Sequence, residues 1–411
     1  MIKETRQGWL VVAALFVSLF FVWGSANAGP VFFVPLLKEF GWSRERLSTL
    51  FGASVLASGV AGPIIGWMLD RVDARHVIAG GATVTVCALL AVSRAHSYPA
   101  FLAIFVMMGV GVAAATMLPA SVVIPNWFHQ HRGMAMGVAL CAAPFGGAAM
   151  TIAANAVIAH AGWRSAYLVL AAPIALLVLP AALIVVRTRP AAAPDLSGAH
   201  GAPIEVLGLD VTGALRTRTL WLIATAMLLA GLTTGFAPHY IAYLINVGYS
   251  PTLAAEITSV SFLVYTVGNL MGGPFADRLG ARRAYALAFA VNGFAQFCLL
   301  GASHGGALAL SVLFGGIAGG SSWVLAPLLM VESFGLRRLG SLMGVTGVFF
   351  TVGAAIGPIL TGHVFDASGS YRLAIWIFIA MLAACAVAIY GCRLLEDEQA
   401  RLAPPIPRPA A

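Results

Sequence analysis

Apolar stretches alternate with short polar connectors along the whole chain. They fall at 9–37, 46–69, 76–95, 99–126, 133–160 and 164–187, then at 219–246, 253–276, 283–303, 306–331, 339–363 and 371–393. Each holds the roughly 20 residues that a helix needs to cross a hydrocarbon core. One long connector, 188–218, is rich in Ala, Pro and Gly and carries Asp195, Glu205 and Asp210. The pattern predicts an all-α membrane protein of twelve transmembrane helices. Two six-helix bundles, 1–187 and 219–393, flank a linker at 188–218, and the charged, then Pro-rich tail 394–411 reads as disordered. Lys3 and Arg6 before the apolar run Trp9–Trp23, with Ala26-Asn27-Ala28 after it, imitate a cleaved secretory signal. The run continues to Leu37, however, which is long enough to span.

The composition agrees. Of 411 residues, 60% are hydrophobic and 9% charged, where a soluble domain carries about 25% charged residues. Such a surface suits lipid, in which a central Asp, Lys or Arg costs roughly 2.5–3.5 kcal/mol. The 45 glycines suit close helix packing in lipid. The net charge of +8 is scattered singly or in pairs between spans, unlike a nucleic-acid patch. Cys87, Cys141, Cys298, Cys385 and Cys392 lie in or near apolar stretches without metal spacing. They read as buried thiols. No nucleotide loop, metal cluster or nucleophile with a placed base is present, so no enzyme, cofactor or metal is expected.

The two sets of spans are copies of one another at an offset of 207 residues. Gly41-Trp42-Ser43 falls on Gly248-Tyr249-Ser250. Gly66, Asp70, Arg71 and Arg75 fall on Gly273, Asp277, Arg278 and Arg282; Gly133 and Gly137 fall on Gly340 and Gly344. Internal repeats of this kind are a design of secondary transporters, with the substrate near the midplane between them. Of the Lys and Arg residues, 17 lie on the side that holds the N-terminus and 6 on the other. That asymmetry places both termini and the linker in the cytoplasm.

The connector after span 8 reads Gly-x-x-x-Asp-Arg-x-Gly-x-Arg-Arg: Gly273, Asp277, Arg278, Gly280, Arg282 and Arg283. The copy after span 2 is degraded. It keeps Gly66, Asp70, Arg71 and Arg75 but has Asp73 for the second Gly and His76 for the last Arg. An acid at one helix end can sit against the positive N-terminus of a neighbour and pair with Arg. Contacts of this sort can latch one face shut and break when the halves rock. By symmetry, Asp70 should face the start of span 11 near Gly340, and Asp277 the start of span 5 near Gly133. These motifs resemble the signature of the major facilitator superfamily, over nearly the whole chain. The resemblance implies the major facilitator fold and transport by alternating access.

A narrower set of residues is similar to the monocarboxylate-transporter and oxalate/formate-antiporter branch, in particular its bacterial members. These are Phe40-Gly41-Trp42-Ser43, Trp127-Phe128 with Arg132-Gly133-x-Ala135-x-Gly137, Gly162-Trp163-Arg164, and His239 with Tyr243 and Gly248. This branch implies small organic acids, moved with a proton or by exchange. The sequence departs from it at the cations. Asn269 stands where span 8 usually carries one, with Tyr265 one turn earlier. Span 1 has no Lys before Lys38 (Val31 is nearest to the usual place), and residues 341–362 hold no Lys or Arg. His239 and hydroxyl or amide donors are left to hold a carboxylate.

Helical spacing suggests the cavity. His239 and Tyr243 share a face at i, i+4, as do Tyr265 and Asn269. Thr116, Met117 and Pro119 should interrupt span 4, and Ser321, Ser322 and Trp323 should break span 10. Asn27, Phe33, Phe349 and Phe350 complete an aromatic-lined pocket. An ionisable group inside a span is a functional candidate. His239 reads either as a substrate or proton site, its pKa being able to cross the physiological range, or as a hydrogen-bonded structural histidine. Glu256, Glu332 and Asp366 read as interfacial charges. The expected protein is a monomeric carrier of a small organic acid in a bacterial inner membrane. It would work in the lipid bilayer, with or without protons and without nucleic acid. The alternative is an exporter of hydrophobic natural products, and a receptor on the same fold is a third class.

Overall fold

The computed structural model describes residues 6–128, 131–189, 208–395 and 397. Ten stretches are long and apolar enough to cross a membrane. One of them, Arg132–Val185, runs for 54 residues, about 80 Å as a single helix. It turns back at Gly162, whose φ of 78° and ψ of 167° are not helical. Ala281–Leu299 is a further helix of 19 residues; Arg282, Arg283, Asn292 and Gln296 lower its mean hydropathy. Splitting the first and adding the second gives twelve membrane helices. They are α1 (Arg6–Phe40), α2 (Arg44–Leu69), α3 (Ala74–Val92), α4 (Tyr98–Trp127), α5 (132–161), α6 (163–185), α7 (Arg218–Val247), α8 (Pro251–Leu279), α9 (Ala281–Leu299), α10 (Gly305–Phe334), α11 (Leu339–Ser368) and α12 (Arg372–Tyr390). The repeat is visible in how they begin, bend and end. Within α1 a single-turn 3₁₀ segment, Gly29–Phe32, carries Pro30. Its copy in α7 is Ala237–His239, carrying Pro238. Both helices then end on a left-handed glycine, Gly41 (φ 64°) and Gly248 (φ 113°), a conformation that costs glycine little. The serines that follow cap the next helices: Ser43 accepts from Arg46 N and Ser250 from Leu253 N.

Residues 190–207 of the expected linker, and 398–411 of the expected tail, lie outside the described residues. The linker's end is described. Leu209 N donates to Phe334 O (3.0 Å), Gly208 bridges to Gly335, and one short helix, Val211–Leu215, precedes α7.

The expected break in α4 is present: Thr116 has φ −123° and ψ −113°. The expected break in α10 is not. This helix runs unbroken from Gly305 to Phe334. Ser321 and Ser322 return their hydroxyls to the carbonyls of Ile317 and Ala318, one turn back. That bonding satisfies each hydroxyl without opening the backbone.

The halves meet through α2 against α11 and α5 against α8. The closest approach lies toward the face that holds Arg6 and Arg393, termed here the near face. A Cβ on Gly66 would stand 2.0 Å from Gly340 O, and one on Gly273 1.9 Å from Gly133 O. Only glycine lets these backbones touch. Farther along the same helices, Ile152 of α5 and Phe262 of α8 are exposed.

Candidate functional site

Two carboxylates cross between the halves at the near face. Asp70, ending α2, accepts from Gly340 N (2.9 Å), Ser341 N (2.9 Å) and Ser341 Oγ (2.5 Å) at the start of α11. Asp277, in the last turn of α8, accepts from Gly133 N (3.1 Å) at the start of α5. Free backbone N–H groups at a helix start suit an anion. The arginines of the motif act within their own halves. Arg71 stacks over Trp67 (4.3 Å), Arg75 lies 3.8 Å from Asp73, and Arg282 donates to Cys392 O (3.0 Å). Arg283 borders a lipid-side groove between α9 and α12, and Arg278 is exposed. Among the described residues, the cross-half contact of each of these aspartates is thus carboxylate to helix N-terminus. Glu332 caps α9 by accepting from Ala281 N (2.7 Å) and Arg282 N (3.3 Å).

Between the halves lies a cavity of about 730 Å³. Gly62 and Gly344 both line it and touch each other, so the α2–α11 contact forms part of its floor. Seven of the residues named from sequence line it: Asn27, Thr116, Met117, Tyr265, Ser322, Trp323 and Phe350. Trp323 and Phe350 meet edge to face at 5.2 Å. Asn27 donates to Trp23 O (3.0 Å).

Five do not line it. His239 sits within hydrogen-bond reach of Pro358 O (3.3 Å) and the Tyr371 hydroxyl (3.4 Å). The repeat explains this placement: His239 takes the position of Phe32, which is buried and stacked on Tyr167 at 4.0 Å. Tyr243 is buried in a cluster with Phe236 and Tyr371, its hydroxyl donating to Leu299 O. Asn269 is 2% exposed at the α5–α8 contact. Phe33 stacks on Phe51 (5.8 Å), and Phe349 meets Trp221 edge-on (6.2 Å).

The wall also holds polar residues that spacing arguments passed over, among them Ser54, Ser58, Tyr240, Asn292 and Gln296. Two amides four residues apart inside span 9 were the available signal for the last pair. Among the described residues, no Asp, Glu, Lys, Arg or His lines the cavity.

The family model described as Major Facilitator Superfamily matches residues 14–255 and 234–410. Monocarboxylate transporter 4 of Rattus norvegicus is 26% identical over 390 residues, covering 90% of this chain and 79% of the relative. An uncharacterized MFS-type transporter of Bacillus subtilis, YcxA, is 23% identical over 394 residues, covering 93% and 94%. Among solved structures, the proton:xylose symporter XylE bound to 6-bromo-6-deoxy-D-glucose superposes with a TM-score of 0.72. It has 14% identity and covers 97% of this chain and 100% of that one. The human organic anion transporter MFSD10 also gives 0.72, at 15% identity and 94% and 100% coverage. With two copies of the signature, paired six-helix halves and a family match along nearly its whole length, this chain belongs to the Major Facilitator Superfamily as a multi-pass secondary transporter, not an enzyme.

Proposed function

We propose that this transporter carries a small organic acid of the monocarboxylate class together with its proton, so that the bound species is neutral. The observation that carries this reading is the absence of any Asp, Glu, Lys, Arg or His from the cavity wall among the described residues. A carboxylate held there would lose its hydration without gaining a cation, a cost of several kcal/mol. Protonating the acid removes that cost, and the proton then travels on the substrate. No titrating residue is needed, which frees His239 from that role. The named relatives, including a rat monocarboxylate transporter, support the organic-acid class.

Asp70 and Asp277, with the glycine contacts beside them, act as the near-face gate, and their release accompanies rocking of the halves. The excess of Lys and Arg on the near face supports a cytoplasmic location for it, in an inner membrane, with a monomer as the working unit.

A second reading is export of an uncharged hydrophobic compound. It is favoured by the predominantly apolar wall and its aromatic side chains Trp23, Phe262, Phe289, Trp323 and Phe350. Ligand binding by thermal shift, followed by proteoliposome uptake, separates the two. For an acid carried in its neutral form, apparent affinity falls about tenfold per pH unit above the acid's own pKa, because only the competent fraction binds. Affinity that is flat across pH overturns the neutral-acid reading. Binding confined to apolar compounds without a carboxyl group moves the assignment to the second.

A further inference from the structure

The cavity is not symmetric about the repeat. In the N-terminal half its wall comes from α1, α2 and α4. In the C-terminal half it also reaches inward to α9 and α12, at Tyr285, Asn292, Gln296 and Leu382. Residues at the 207-residue offset explain the extra space. Gly315 and Gly319 of α10 correspond to Met108 and Val112 of α4. Met108 and Val112 are 6% and 5% exposed, so they fill the volume that the two glycines leave open. The polar residues follow the same division. Tyr285, Asn292, Gln296 and Ser311 correspond to Ile78, Thr85, Leu89 and Ile104. Thr85 spends its hydroxyl on Gly81 O (2.9 Å), and Leu89 is 1% exposed. The first half is packed and apolar where the second is hollow and polar.

Gln296 adds a second observation. Its Oε1 is buried, has no hydrogen-bond partner, and belongs to a side chain that lines the cavity. A buried acceptor left unpaired is costly, and such groups are ordinarily satisfied. Asn292 lies one turn earlier on the same helix face and lines the same space.

We propose that α8, α9 and α10 enclose a substrate side pocket in the C-terminal half, where Gln296 Oε1 accepts the O–H of a protonated carboxyl group and Asn292 donates to its carbonyl oxygen. The proposal rests on the neutral-acid reading above. It names the part of the cavity that tells a protonated acid from an analogue without the O–H. Such discrimination is large when a site is built to pair that group, because the analogue leaves the site's own buried polar atom unsatisfied.

The test uses the full-length purified chain in detergent at about pH 5, where a short fatty acid is substantially protonated. The probes are butyric acid and methyl butyrate, read by calorimetric affinity and by thermal midpoint without ligand. Wild type should prefer the acid over the ester by about tenfold or more. Gln296→Leu should bring that ratio near one, keep the ester's affinity, and leave the midpoint unchanged or raised. Gly315→Met installs the residue of the first half, and a Cβ there makes only ordinary contact with Ala295 at 3.4 Å. It should weaken both probes without lowering the midpoint, and it serves if Gln296→Leu misfolds. A wild type that binds neither probe overturns the proposed function and the pocket with it. If wild type prefers the acid and Gln296→Leu keeps that preference, the pocket alone falls. If Gln296→Leu lowers the midpoint by several degrees, Gly315→Met decides: a variant that binds both probes as wild type does overturns the pocket.

Discussion

Asp70 stands in the degraded copy of the signature and accepts three hydrogen bonds from α11, while Asp277 stands in the intact copy and accepts one from α5. The repeat accounts for one of the two extra bonds. Gly340 and Gly133 are equivalent and both offer a backbone N–H, but the next positions are Ser341 and Met134. Only the serine adds a hydroxyl. Asp277 is also exposed where Asp70 is half-buried, so water competes for it more strongly. A second exchange lies at the following helix. In the C-terminal half Gly280 (φ 78°) leaves the start of α9 to be capped by Glu332 from α10. In the N-terminal half Asp73 replaces that glycine. It caps α3 itself, accepting from Arg75 N (3.2 Å) and from Thr188 N and Oγ1 (both 3.3 Å). The departure from the motif is thus a different solution to the same capping problem. Completeness of a signature does not rank the strength of the contact it makes.

The comparison can be broken most severely at the glycines. Gly66→Val and Gly273→Val each drive a side chain into the opposing backbone, and each should cut transport by more than about tenfold. Proteoliposome counterflow measures this, and the two should be equally severe because both backbones touch. Next come the carboxylates. Asp70→Asn should cost the closed near face about 1.5–3 kcal/mol, the scale of hydrogen bonds to a charged group, and Asp277→Asn less than about 1 kcal/mol. Labelling rates of a cysteine placed on the cavity floor would report both, and equal effects would refute the ranking. Ser341→Ala should cost about 1 kcal/mol in the same assay, and Met134→Ser should move the Asp277 latch in the opposite direction. Smallest is Asp73→Ala, which removes a cap worth about 0.5–1 kcal/mol. It should lower the thermal midpoint slightly and leave substrate affinity unchanged.

The near-face contacts were legible from sequence because they depend on position along two copies of one pattern. Asp70 meeting Gly340 and Asp277 meeting Gly133 need only the offset and the helix ends. The cavity was less legible. His239 and Tyr243 share a spacing of four, but His239 ends a 3₁₀ turn, and the residues of this segment that line the cavity are Phe236, Ala237 and Tyr240. Asn269 occupies the family's cation position, yet the close α5–α8 approach at Gly137 buries it. Asn292 and Gln296 escaped notice because a polar residue inside an apolar span can face a neighbouring helix or a hollow, and spacing does not distinguish these.

What the sequence determined by itself was the membrane-spanning pattern, the duplication, and the backbone positions that had to come close. Hydropathy, repeat offset and small residues are local or periodic properties of the chain, and they survive without knowledge of packing. Which polar side chains share the central space is settled by packing in three dimensions. That depends on local helix distortions at Pro30 and Pro238, on the volumes of Met108 and Val112 against Gly315 and Gly319, and on how far each helix turns toward its neighbours. A rotation of one residue, about 100° on a helix, is enough to move a side chain from the cavity into the bundle wall.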